Sequence, residues 1–277
     1  MSDLTVPQSA TSREETGQFD AASFFNDDPV SFAYFRPDYP DKIYDAIVEK
    51  AELTPEARVL EVGAGTGIAT LPLAQRGYDI TALEPGENLA RVGREHLKDY
   101  PNVTWVVEGL ESVDLPPESF DLVFAAMSLH WVNEEARFKK PYRLLKDGGK
   151  LAILFNNPIR NDDTTRFYNE IDVITRQHGM KEGYPVPTRG ELRTMPPIDE
   201  EYFEPFPNIW MVPRMYTDRT SGKQNYLGYL STLSLTRNLS DEAKAAFLGD
   251  VSKVVEQTFG DVLELPFATT LSLATKK

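Results

Sequence analysis

The chain has 277 residues, of which 43 are acidic and 29 are basic, so its formal net charge is −14. A surface this acidic repels the phosphate backbones of DNA and RNA, and we therefore expect no nucleic-acid partner. The absence of cysteine excludes disulfides, cysteine-based zinc sites and thiol nucleophiles, and we expect no metal.

The first residues are polar and acidic. Residues 1–18 are predicted to be a disordered tail, because they lack the apolar residues needed to bury a core. They also lack the apolar stretch of a secretory signal, and no apolar run reaches the roughly 20 residues of a membrane-spanning helix. We therefore expect a cytoplasmic protein that acts away from the membrane.

Residues 19–54 are rich in aromatic side chains and are predicted to form an N-terminal lid followed by a helix. Asp41 is a candidate N-cap for that helix, because apolar residues follow it at helical spacing from Ile43 to Ala51.

Strand and helix patterns then alternate through residues 55–157. Short apolar runs predict strands at 58–62, 79–83, 103–107, 120–126 and 150–155. Helices are predicted between them at 68–76, from Asn88 onward, and at 134–145, the last interrupted by Pro141. Strands and helices that alternate through short links indicate a parallel, doubly wound sheet.

The pattern changes after this region. Residues 158–208 are predicted to be a cap that covers the substrate, with a helix at 165–178. Seven prolines lie between residues 184 and 213, so we expect that stretch to be irregular and outside the sheet. Residues 209–277 are predicted to return to the sheet and to line the substrate, with strands at 209–216 and 265–274 and a helix that begins at Ser240.

A glycine loop follows the first predicted strand, with Gly63, Gly65 and Gly67 spaced as G-x-G-x-G. Glycines at a strand end allow the backbone to approach a ligand and to adopt positive φ. A dinucleotide site is spaced G-x-G-x-x-G, so that a pyrophosphate meets the helix N-terminus, and the carboxylate of Glu61 would repel that group. The same carboxylate suits the ammonium group of a methionine moiety. Spacing and charge therefore favour S-adenosylmethionine (SAM).

Glu84 ends the second predicted strand, directly before Pro85. A carboxylate in this position can accept hydrogen bonds from both ribose hydroxyls of a nucleoside. An exposed loop glutamate is the alternative interpretation.

These segments resemble class I SAM-dependent methyltransferases, and among them the small-molecule group that includes trans-aconitate methyltransferases. The matching text is LEVGAGTG (60–67), ALEP (82–85), EGLESVDLPPESFDLVFAAMSLHWVN (108–133) and RLLKDGGKLAILFNNP (143–158). The resemblance implies an α/β fold, a doubly wound, mostly parallel seven-stranded Rossmann-like sheet with an antiparallel C-terminal strand and a helical or irregular cap.

The resemblance also implies SAM as cofactor, S-adenosylhomocysteine as product, and a set of contacts carried over by position. Gly109 stands where many relatives have an Asp for the adenine amine, so that role passes to the Leu110 backbone and to Glu111 or Glu108. Arg36 is a candidate partner of the cofactor carboxylate, with a solvated turn residue as the alternative. The implied cofactor contacts are Tyr34, Arg36, Glu61, Gly63, Ala64, Gly65, Gly67, Glu84, Pro85, Gly109, Leu110, Glu111, Ala126 and Met127.

The acceptor is expected to be a small molecule that binds above the C-terminal ends of the strands. His130 is a candidate base because imidazole titrates near neutral pH, and a loop-orienting or substrate-binding role is the favoured alternative. Trp131 is expected to form a pocket wall. The predicted acceptor-lining residues are Phe19, His130, Trp131, Asn156, Tyr226, Tyr229, Ser234 and Arg237.

The sequence therefore predicts a SAM-dependent methyltransferase that acts as a monomer or homodimer. It would methylate an oxygen, nitrogen or carbon atom, with O-methylation, including that of a carboxylate, slightly favoured. Two alternatives stay open at this point, an NAD-dependent oxidoreductase and a non-catalytic SAM-binding regulator.

Overall fold

A computed structural model describes residues 26–181, 183–192, 197–206, 210–218, 222–260 and 263–277. The predicted tail and Phe19 lie outside these residues. The helices are α1 (Pro29–Phe35), α2 (Asp41–Lys50), α3 (Thr70–Gln75), α4 (Glu87–His96), α5 (Glu134–Arg137), α6 (Lys139–Leu144), α7 (Asp162–Gln177), α8 (Gly222–Ser231), α9 (Ser234–Arg237) and α10 (Asp241–Phe259). The strands are β1 (Arg58–Val62), β2 (Asp79–Leu83), β3 (Val103–Val106), β4 (Phe120–Ala126), β5 (Leu145–Pro158), β6 (Phe203–Pro205), β7 (Trp210–Asp218) and β8 (Leu263–Lys276).

One sheet joins these strands in the order β3-β2-β1-β4-β5-β8-β6, and β7 also pairs with β8. Strands β1 to β5 are parallel, and β8 is antiparallel to β5. Strands β6 and β7 pair with successive stretches of the other edge of β8, so they share the seventh place in the sheet. The predicted mostly parallel, seven-stranded sheet with an antiparallel C-terminal strand is confirmed.

Helices cover both faces of this sheet, as expected when parallel strands are buried on both sides. Successive residues of β1 point to opposite faces, so Val59 joins one apolar cluster with Ile43 and Leu73, and Leu60 joins another with Leu144. A third cluster unites α7, α8 and α10 and gives the cap its own core. The first residues of β8 belong to this cluster, and Phe267 among them pairs with Pro158 at the C-terminal end of β5.

Two predicted helix signals were wrong in detail. Helix α2 begins at Asp41 with Pro40 as its N-cap, so Asp41 lies in the first turn, where its charge favours the helix dipole. The predicted interruption at Pro141 falls at Phe138 instead, between α5 and α6. Pro141 lies in the first turn of α6, where its missing N–H costs no helical hydrogen bond.

The prediction that residues 184–213 lie outside the sheet was also wrong in part. Phe203–Pro205 pair with the last residues of β8, and β7 begins at Trp210. Strand β8 extends to Lys276, which leaves an outer edge whose backbone groups need partners. Proline is compatible with such an edge position. Within the described part of the chain, no helix is both long enough and apolar enough to cross a lipid bilayer.

Candidate functional site

The glycine loop leaves β1 at the C-terminal edge of the sheet. Gly63 and Gly67 have φ values of +68° and +80°, a region that residues with a Cβ rarely adopt. A Cβ on Gly63 would lie 2.6 Å from the Cβ of Ser128, and one on Gly67 would lie 2.7 Å from Cδ1 of Leu97. Conformation therefore requires glycine at both positions, and space requires it at position 63 as well.

Glu84 holds this loop in place. Its Oε2 accepts a hydrogen bond from the Gly65 amide at 2.7 Å, and its Oε1 accepts one from the Gly86 amide at 2.8 Å. The side chain is buried, and burial raises the pKa of Glu84 although both amides oppose that rise. The carboxylate therefore lies at the end of β2, as predicted, and it is not an exposed loop residue.

Glu61 is a buried carboxylate on β1, with only 1% of its surface exposed. Neither of its oxygens has a hydrogen-bond partner among the described residues. Burial raises the pKa of Glu61 to about 8; the nearby Thr70 hydroxyl opposes this rise and the charge of Glu84 adds to it. An incoming positive charge would stabilise this buried acid as an anion.

Gly109 and Glu111 occupy the loop that follows β3. A Cβ on Gly109 would lie 3.0 Å from Oε2 of Glu111, so the Glu111 carboxylate fills the space that a side chain at position 109 would take. Its other oxygen accepts a hydrogen bond from the Asn133 amide at 3.0 Å. Leu110 is buried beside them, whereas Glu108 is exposed. Glu111 is exposed as well, and its adenine role stays a prediction.

The end of β4 is tied to its neighbours at Met127 and Ser128. Met127 has a φ of +55°, and its sulfur accepts a hydrogen bond from the Asn156 amide at 3.2 Å. The Ser128 hydroxyl donates to the Val62 carbonyl, which joins the ends of β4 and β1. A bulky residue at positive φ is costly and persists where the surrounding structure requires it, often at a functional site.

The lid helix α1 packs over the glycine loop. The ring of Phe32 lies 3.7 Å from the position of a Cβ on Gly65, and the Arg36 guanidinium lies 4.9 Å from the Phe32 ring centroid. Nη2 of Arg36 donates to the Thr232 carbonyl at 2.8 Å, so Arg36 is not a solvated turn residue. Tyr34, which is also on the lid helix, is 73% exposed.

His130 is partly buried in a 3₁₀ turn that follows β4. Its ring centroid lies 4.8 Å from that of Trp131 and 5.4 Å from that of Phe155. Burial, together with the charges of Arg137 and Arg36, lowers the pKa of His130 to about 4. The imidazole is therefore neutral at pH 7, and its Nδ1 has no hydrogen-bond partner in the described structure.

The comparisons with known proteins agree with this geometry. Residues 60–153 match the family model of the methyltransferase domain. This part of the chain is therefore similar to a methyltransferase domain. The chain is 32% identical to an uncharacterized methyltransferase-like protein of Schizosaccharomyces pombe over 151 residues. These residues cover 54% of this chain and 57% of that protein. The chain thus spans slightly more than half the length of this relative.

One further similarity covers 34% of the chain, and another concerns its fold. A malonyl-[acyl-carrier protein] O-methyltransferase of Ilyobacter polytropus is 34% identical over 98 residues, which cover 34% of this chain and 36% of that protein. A solved structure of a candidate type II methyltransferase from Anaeromyxobacter dehalogenans has a TM-score of 0.59 at 24% identity and covers 88% of this chain and 98% of that chain. The latter likeness shows the fold alone.

The methyltransferase domain brings most of the predicted residues to one edge of the sheet. The glycine loop with Ala64, Glu61, Glu84 with Pro85, residues 109–111, and Ala126 with Met127 all follow or end strands that are adjacent in the sheet. The side-chain amide of Asn156 donates to the carbonyls of Pro37 and Asp38, which follow the lid helix.

The other predicted acceptor-lining residues lie on separate helices of the cap or outside the described residues. Tyr226 and Tyr229 are buried on α8, and Ser234 begins α9. The side chain of Arg237 lies outside the described residues, as does Phe19.

Three residues near the site were missed from the sequence. Phe32 covers the loop, Asn26 accepts hydrogen bonds from the amides of the first turn of α4, and Nδ1 of His96 lies 3.1 Å from the Thr66 carbonyl. Asn26 is a good N-cap residue, but it precedes α4 by about sixty positions, so no local pattern indicates it.

Proposed function

We propose that this protein is an enzyme that transfers the methyl group of SAM to an oxygen atom of a small-molecule acceptor, with a carboxylate oxygen as the favoured target. The observation that carries the proposal is the buried, unpartnered carboxylate of Glu61 beside a glycine loop. An anion there fits the cationic methionine end of SAM and opposes a pyrophosphate.

The residues that would hold SAM fit it in chemistry. Glu61 and the loop amides would contact the methionine half, Glu84 the ribose, and Glu111 with the Leu110 backbone the adenine. When bound, SAM supplies an electrophilic methyl group on a sulfonium, so the protein has to align the acceptor and exclude water. The lid residue Phe32 lies over Gly65, which is the position needed to exclude water from the loop.

The state of His130 favours an acceptor that needs no base. An acceptor hydroxyl must lose its proton during transfer, whereas a carboxylate has already lost it. Burial and the charges of Arg137 and Arg36 keep the pKa of His130 near 4, which makes its imidazole a weak base at neutral pH. The partial similarity to an O-methyltransferase that acts on a malonyl group is in line with this choice.

A thermal-melting comparison tests the cofactor half of the proposal. Saturating SAM or S-adenosylhomocysteine is expected to raise the midpoint, and NAD at the same concentration is expected to leave it unchanged, since only a ligand of the folded state stabilises it. A midpoint raised by NAD and not by SAM would replace the proposal with an oxidoreductase.

Turnover tests the other half. Formation of S-adenosylhomocysteine is measured with a panel of carboxylic acids, alcohols, phenols and amines. We expect carboxylic acids to give the fastest turnover. Tight SAM binding without turnover on any acceptor class would point to a SAM-binding regulator instead.

A further inference from the structure

Four tyrosines are buried together in the cap, and we refer to them as the tyrosine cluster: Tyr168 on α7, Tyr184 in the segment that follows it, and Tyr226 and Tyr229 on α8. The rings of Tyr226 and Tyr229 stack with centroids 6.4 Å apart, and those of Tyr168 and Tyr184 lie 6.5 Å apart. Each phenol affects the ionisation of others in the set, so the four oxygens share one region.

The hydroxyls of this cluster are not all satisfied. Those of Tyr184 and Tyr229 hydrogen-bond to each other. Those of Tyr168 and Tyr226 have no partner among the described residues, although both side chains are 2% exposed. Burial raises the pKa of all four phenols, so each keeps its proton and can donate a hydrogen bond. Two buried donors without an acceptor destabilise the ligand-free fold, because desolvation is not compensated.

Arg36 connects the tyrosine cluster to the reaction site. Its guanidinium lies 5.7 Å from the centroid of the Tyr229 ring and 4.9 Å from that of Phe32, which covers the glycine loop. Its charge also contributes to lowering the pKa of His130 at the end of β4. One positive group therefore lies between the lid, His130 and the phenols, and it adds to the preference of this region for a negatively polarised oxygen.

We propose that Tyr168 and Tyr226 donate hydrogen bonds to a second oxygen group of the acceptor, one that is not methylated and carries no proton. This inference rests on the proposed function and deepens it, because it defines the acceptor as a molecule with two oxygen-bearing ends. Carboxylate and amide carbonyl oxygens share the required chemistry, since both accept hydrogen bonds without donating one from the same atom. A hydrocarbon end would leave both phenols unsatisfied.

Isothermal titration of matched probes tests this assignment. The probes are the straight-chain dicarboxylates from malonate to suberate, their monoamides, and monocarboxylates of equal length, each titrated with and without S-adenosylhomocysteine. We expect dicarboxylates or monoamides to bind the unmodified protein, and Tyr168→Phe and Tyr226→Phe each to weaken that binding by about tenfold. Monocarboxylate binding is expected to change by less than about twofold in either variant. Comparison of the dicarboxylates with the monoamides distinguishes a carboxylate oxygen from an amide carbonyl oxygen as the group that the phenols bind.

Melting of the ligand-free variants separates a binding role from a structural one. Removal of an unsatisfied hydroxyl is expected to leave the midpoint unchanged or to raise it. Tyr44→Phe is the matched control, because the buried Tyr44 hydroxyl donates to the Ala69 carbonyl at 3.1 Å; it should lower the midpoint and leave probe binding unchanged.

Two results would overturn the inference while leaving the proposed function intact. In the first, both phenylalanine variants bind dicarboxylates and monoamides as tightly as the unmodified protein does. In the second, no probe binds the unmodified protein. In both cases the protein still binds S-adenosylhomocysteine. If the unmodified protein did not bind S-adenosylhomocysteine, that result would count against the proposed function. The probe titrations done without S-adenosylhomocysteine would still decide the role of Tyr168 and Tyr226.

Discussion

The glycine loop and the tyrosine cluster both contain buried polar groups without partners in the described structure, but they are assembled differently. Glu61 lies two residues before Gly63, and Glu84, which accepts a hydrogen bond from the Gly65 amide, directly follows the neighbouring strand β2. The tyrosine cluster draws its members from α7, α8 and the segment after α7, and its contact with the lid depends on Arg36.

This difference affects what each site can specify. The loop presents backbone amides and carboxylates whose spacing is set by the parallel sheet, so it suits a ligand shared by many proteins of the same fold. The cap presents side chains on packed helices, and a single substitution there alters the hydrogen-bond donors without disturbing the sheet. We therefore expect cofactor binding and acceptor binding to respond to separate sets of variants.

Gly63→Ala should have the largest effect. The new Cβ would meet the Cβ of Ser128 at 2.6 Å, and the φ of +68° adds strain of about 1–2 kcal/mol. We expect no SAM-induced shift in melting temperature and a lower free energy of unfolding. Gly77→Ala is the control, because Gly77 has a φ of +87° but no atom within 4 Å of the added Cβ. Equal SAM binding by the two variants would contradict the role assigned to the first glycine.

Glu84→Ala should weaken SAM binding by about 100-fold, because it removes the acceptor of the Gly65 and Gly86 amides as well as the proposed ribose contact. Titration of SAM measures the loss. Glu87→Ala changes an exposed carboxylate three residues away and should bind SAM normally. Because the two sites are separate, the affinity of Glu84→Ala for the probes, measured without cofactor, should stay within about twofold of that of the unmodified protein.

Glu61 predicts opposite pH dependences for folding and for SAM binding. Its pKa is raised from 4.5 to about 8 by burial, so the folded state holds a proton that the unfolded state has lost between those values, and stability falls as the pH rises through that window. Binding of a cation expels the proton, so SAM affinity should rise with pH by up to about tenfold per unit below pH 8. Titrations at pH 6, 7 and 8 measure this slope.

The control for this prediction is Glu61→Gln, which cannot titrate. Its SAM affinity should be weaker and nearly independent of pH over the same range. A flat profile in the unmodified protein would mean that Glu61 is already ionised before SAM binds.

His130 should give the smallest effect. Its pKa is lowered from 6.5 to about 4, so its stabilising contribution is present above pH 6.5 and is lost as the pH falls toward 4. Melting of His130→Gln between pH 4 and 7 should show a smaller loss than the unmodified protein. The pH profiles of turnover in the unmodified protein and in His130→Gln should have the same inflections between about pH 5.5 and 8. An inflection that is present in the unmodified protein and absent from the variant would identify the imidazole as a base.

Local patterns predicted the central strands with accuracy. Strands 58–62, 79–83 and 120–126 have the predicted bounds, because each is a mostly apolar and mostly buried run limited by turn residues. The α7 helix began three residues earlier than predicted, since Asn161 forms a capping box with Thr164. The edge strand β6 was missed because its residues pair with β8 about seventy positions away.

The sequence by itself determined the parallel sheet, the glycine loop and the two carboxylates beside it, since these depend on residues that are near neighbours in the chain or on adjacent strands. The tertiary structure alone decided the ionisation of Glu61 and His130, the position of Arg36 and the grouping of the four tyrosines. Those properties depend on burial and on contacts between distant segments, because the cost of removing a polar group from water is set by everything that surrounds it.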